Sequence, residues 1–103
     1  MKKLSLSPFT SAAIMVCQNM ATEIIMGLSK KCQCHQDRDE SLPIARAIKD
    51  QLALLNEAVT KKAALSSANV CIILARTIGE NLGTGPCCVI DVVMGQVFDE
   101  LND

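Results

Sequence analysis

Apolar residues recur with the period of an α-helix in four successive stretches of this chain. Ser7-Pro8 supplies an N-cap and a first-turn proline, and Ile14, Cys17, Ala21, Ile24 and Leu28 then follow at alternating spacings of three and four. This predicts a first helix from about Pro8 to Lys31, with Lys30 and Lys31 where the negative end of the helix dipole favours cations. The polar stretch from Cys32 to Glu40 reads as a loop. Ser41 then caps a second helix with Pro43 in its first turn, and Ile44, Ile48, Leu52, Leu55 and Val59 form its buried stripe. The pattern weakens around Ser66-Ser67-Ala68-Asn69, where the second helix is expected to give way to the third. Cys71, Leu74, Ala75, Ile78 and Leu82 mark that third helix, which stops at Gly83. Thr84-Gly85-Pro86 is a turn, and the fourth helix carries Ile90, Val93, Met94, Val97 and Leu101.

The expected architecture is therefore all-α, one domain over residues 1–103 built as a four-helix up-down-up-down bundle. Composition agrees: Trp and Tyr are absent, Phe9 and Phe98 are the two aromatics, and half the residues are hydrophobic. Such a core must be built from Leu, Ile, Val, Met, Ala and Cys, which suits helix packing. A second topology also fits the pattern. Only Pro43 interrupts helix formation between Leu42 and Leu82, so the second and third segments could fuse into one rod of roughly 60 Å, giving an extended subunit. A shift of 54 positions places Cys17 on Cys71, Ala21 on Ala75, Ile24 on Ile78 and Leu28 on Leu82. This is the register expected of two helical hairpins related by a pseudo-twofold, although amphipathic helices can always be slid into some agreement.

A net charge of −1 with scattered Lys and Arg argues against a surface that tracks phosphates, and the lack of aromatics argues against base stacking. Nucleic acid is not an expected partner. Lys2-Lys3 before a charge-free run to Thr22 resembles a signal peptide superficially, but Ser5, Ser7, Pro8, Thr10 and Ser11 break up its apolar part. No uninterrupted apolar run has the length of a membrane span, so a cytoplasmic chain without a span is expected.

Hydrophobic residues exceed what one buried stripe per helix requires. The first helix carries Met15, Met20, Ile25 and Met26 beyond its stripe, and the third carries Val70, Ile72 and Ile73. A second apolar face must meet something. The expected partner is another copy of the chain or a partner helix, with Met15, Met26 and Ile72 in the interface.

The remaining chemistry is thiol chemistry. Cys32, Cys34 and His35 follow the first helix, and Cys87 and Cys88 follow the third. An up-down bundle brings both clusters to one end. Thiolates with an imidazole are ligands for zinc or cuprous copper, yet a Cys-x-Cys and a vicinal Cys-Cys pair are tighter than ordinary zinc knuckles. Reduced structural thiols without a cofactor are the competing expectation, with disulfide or redox use a third. Cys17 and Cys71 lie on apolar stripes and read as small buried hydrophobes. The single His stands beside Cys34 without a positioned base-and-nucleophile pattern, and no phosphate-binding Gly-rich loop is present, so the chain is not expected to be an enzyme.

Overall fold

A computed structural model describes residues 4–30, 35–82 and 86–102, and in it the chain forms four helices: α1 (Pro8–Lys30), α2 (His35–Asn56), α3 (Lys61–Leu82) and α4 (Pro86–Asn102). Each helix packs on its neighbour in sequence, and α4 returns to pack on α1. Closing that ring through short connections produces a four-helix bundle of 43 × 23 × 19 Å. α1 and α3 occupy diagonal corners.

α1 begins as expected. The Thr10 backbone N–H donates to Ser7 Oγ at 3.1 Å, and the Ser7 hydroxyl donates to Glu100 Oε1 at 2.5 Å, so the cap of the first helix also holds the end of the last. The Leu4 N–H donates to the Ala58 carbonyl at 2.6 Å, tying the segment before α1 to the α2–α3 connection. Leu4 and Leu6 close that end of the core.

Two boundaries differ from the sequence expectation. The stretch expected to be a loop up to Glu40 is helical from His35 onward, which places Ser41 and Pro43 inside α2 instead of at its start. Pro43 has no N–H for the carbonyl four residues earlier, and packing of the Ile48, Leu52 and Leu55 stripe outweighs that loss. The α2–α3 break falls at residues 57–60 and not at 66–69, which also removes the long rod. Thr60 caps α3 by accepting the Ala63 N–H at 3.1 Å. The stretch that looked weak is a tightly packed turn of α3, where Ala64, Ser67 and Ala68 are all buried. Small side chains there let the helices approach, so a scarcity of large apolar residues is not a break.

The core follows the predicted stripes. Ile14, Cys17, Ala21, Ile24 and Leu28 from α1, Ile48, Leu52 and Leu55 from α2, Cys71, Ala75 and Ile78 from α3, and Ile90, Met94 and Val97 from α4 are buried. Ile44, Leu74, Val93 and Leu101 flank them, whereas Val59 lies beyond the end of α2 and is exposed. Cys17 and Cys71, Ala21 and Ala75, and Ile24 and Ile78, matched by the 54-position shift, share the central core, where Cys17 lies near enough to Cys71 for a charge on one to oppose a charge on the other. Ser41, fully buried on the α2 stripe, has no hydrogen-bond partner for its hydroxyl among the described residues.

Candidate functional site: the outer face of α1 and the α3–α4 thiol groove

The surplus apolar residues divide into two groups. Met20, Ile25 and Ile72 are half-buried against the bundle's own core. Met15 and Met26 are not: they are 63% and 50% exposed, alongside Phe9 and Val16. Beside Ile72 it is Ile73 that faces outward. The exposed face of α1 also includes Ala12, Asn19 and Glu23, and Glu23 and Lys30 are the only charged residues in the whole helix. On α3, by contrast, the apolar Ile73 shares the outside with Lys61, Lys62, Arg76 and Glu80. α4 contributes exposed Val89 and Val92.

Among the described residues, α1 is the one helix that bears on the expectation of no membrane span, and it neither establishes nor excludes one. By length and composition Pro8–Leu28 is long and apolar enough to cross a membrane, because Ala, Gly, Ser and Thr lower its hydropathy without introducing charge. The same helix supplies the buried α1 stripe.

The thiol groove lies between α3 and the first turn of α4, lined by Arg76, Gly79, Glu80, Cys87, Cys88 and Asp91. Cys87 is buried and Cys88 is exposed. A Cβ placed on Gly79 would sit 3.7 Å from Cys87 Sγ, so the sulfur packs directly over the bare backbone of α3. Burial pushes the Cys87 thiol up, the neighbouring Cys88 thiol adds to that, and the backbone of Cys87 and Cys88 offsets part of it. The Arg76 Nε–H faces both Asp91 carboxylate oxygens, at 3.3 and 3.2 Å, and bridges α3 to α4 at the groove's edge. Burial also pushes the Cys17 thiol up to about 11 and the Cys71 thiol up to about 12, the latter raised further by the neighbouring Cys17. Cys71 Sγ lies 4.0 Å from the Ile48 carbonyl. These two core thiols are neutral packing groups, as their stripe positions predict.

Cys32 and Cys34 lie outside the described residues, as does the side chain of His35. Among the described residues no three Cys, His, Asp or Glu side chains converge into a metal-binding group. Cys87 and Cys88 alone offer two sulfurs, which suits a two-coordinate soft ion such as cuprous copper better than a tetrahedral zinc. A disulfide between them is opposed by helix geometry: adjacent Cα atoms are about 3.8 Å apart, below the roughly 4.4 Å minimum of ordinary disulfides. Sequence reasoning found both cysteines but not Arg76, Gly79 or Asp91, whose roles arise from pairing across two helices.

The chain matches no protein-family model, no curated protein and no solved structure. Fold and surface define a small all-α bundle with one apolar outer helix face and one thiol-lined groove.

Proposed function

We propose that this protein is non-enzymatic and acts by self-association, with the outer face of α1 as the contact surface. The observation that carries the reading is the exposure of Met15, Val16 and Met26 on a face where Glu23 is the one charged residue among the described side chains. The bundle buries its own stripe without these residues, so their apolar surface is available to an interface. Replacing both Met15 and Met26 with Glu is expected to lower the solution mass to that of one chain while circular dichroism still reports a folded helical bundle. Retention of the wild-type assembly by that variant contradicts the reading.

A second reading is favoured by the juxtaposed thiols of Cys87 and Cys88: a soft-metal or thiol-redox role for the α3–α4 end. Titration with cuprous ion under reducing, anaerobic conditions tests it. Uptake that disappears in the Cys88→Ser variant supports the role, and uptake unchanged by that substitution removes it.

A further inference from the structure

The two thiols of the α3–α4 groove have unlike surroundings. Cys87 is 4% exposed and packs over Gly79, whereas Cys88, the next residue of α4, is exposed and lines the same groove. Once Cys88 is oxidised, its neighbour cannot take the bond over. Adjacent Cα atoms lie closer than an ordinary disulfide allows, so joining the pair would unwind the first turn of α4 and lift Cys87 off the α3 backbone. Burial also raises the Cys87 thiol, which keeps it protonated and makes it a poor attacking group. Oxidation of the pair therefore stops at Cys88.

The groove beside Cys88 can seat a small adduct. Its volume of about 380 Å³ falls within the range of ligand pockets, roughly 300 to 1,000 Å³, and Arg76, Glu80 and Asp91 line it together with the two thiols. The Arg76 Nε–H, directed at Asp91, is one of the five donors in the guanidinium fork, and the fork matches a carboxylate. Glu80 and Asp91 suit an ammonium group. The rim thus offers both signs of charge.

We propose that Cys88 is an S-thiolation site, taking a low-molecular-weight thiol of the glutathione class, with carboxylate and ammonium groups, as a lasting mixed disulfide seated in the α3–α4 groove. This rests on the thiol-redox reading of that end and specifies its product. The Cys88 thiolate attacks one sulfur of the small disulfide, so a new S–S bond to Cys88 forms as the small disulfide's own S–S bond breaks. The released half leaves as a thiolate and takes up the proton that Cys88 gave up. The protein sulfur is oxidised, the small disulfide is reduced, and no other oxidant is required.

Incubation of the reduced full chain with glutathione disulfide, followed by peptide mass mapping, tests the product. One glutathionyl group is expected on Cys88, and it should persist after the excess disulfide is removed. A disulfide joining Cys88 to Cys87 or to any other cysteine overturns the mixed-disulfide product while leaving the thiol-redox reading intact. Cys88 that stays reduced in the folded chain, yet reacts once the chain is denatured, overturns that reading itself. Uncharged hydroxyethyl disulfide isolates the role of the groove. Arg76→Ala should slow the reaction with glutathione disulfide about twofold to fivefold relative to the uncharged reagent at low ionic strength, and high salt should erase the difference. An unchanged ratio of the two rates overturns the seating of the adduct in the groove.

Discussion

α1 and α2 present equivalent inner stripes to the core and opposite kinds of surface to the outside. Ile14, Cys17, Ala21, Ile24 and Leu28 of α1 are buried, as are Ala45, Ile48, Leu52 and Leu55 of α2. Outside, α2 shows Glu40, Arg46, Lys49 and Asp50, whereas α1 shows Phe9, Met15, Val16 and Met26. Folding therefore requires the inner stripe and is indifferent to which outer face accompanies it. The apolar outer face of α1 demands a separate explanation, and an interface supplies one.

The comparison is broken most forcefully from the inside. Leu52→Ala removes a fully buried side chain from the α2 stripe and should cost about 2 to 5 kcal/mol, whereas Leu54→Ala, at a 57% exposed position two residues on, should change stability by about 0.5 kcal/mol or less. Denaturant unfolding of the two variants measures both. Similar losses would mean that the inner and outer faces of α2 are wrongly assigned.

The inner stripes also predict a pH dependence. Burial holds the thiols of Cys17 and Cys71 neutral up to about 11 and 12, while an unfolded chain releases those protons near the ordinary value of 9.0. Above that value the unfolded state binds fewer protons than the folded one, so stability falls as pH rises. The contribution is fully present below about pH 9 and is lost progressively towards about pH 12, on the order of 2 kcal/mol per thiol. Chemical denaturation from about pH 8 to about pH 11 should show the decline, and replacing both cysteines with Ala should flatten it relative to the wild type.

A smaller effect sharpens the account of α2. The buried Ser41 hydroxyl lacks a partner among the described residues, so Ser41→Ala relieves a desolvated polar group and should stabilise the bundle by about 1 kcal/mol. A loss of stability in thermal unfolding would show that the hydroxyl is satisfied in solution.

Much of the fold was legible because helical periodicity reports burial directly. The α1 start at Pro8 and most stripe residues of the four helices could be read from spacing alone, Val59 being the exception because it lies past the end of α2. The α2–α3 boundary could not, because Ala64, Ser67 and Ala68 pack closely without looking hydrophobic, and the decisive sign was the capping Thr60. The α2 start was misplaced because Ser41 and Pro43 imitate a helix entrance, yet here they lie inside the helix. For the candidate site, surplus hydrophobicity was visible but its direction was not. Met15 and Ile72 look alike in sequence, and only packing shows that one is outside and the other rests against the core.

The most direct test of the central claim is the mass of the wild-type protein in solution, measured by sedimentation across a range of concentrations. The account predicts a concentration-dependent shift from the 11.1 kDa chain to twice that mass, abolished when Met15 and Met26 are both replaced by Glu. A wild-type protein that remains a single chain throughout, or a dimer that survives both substitutions, would contradict it.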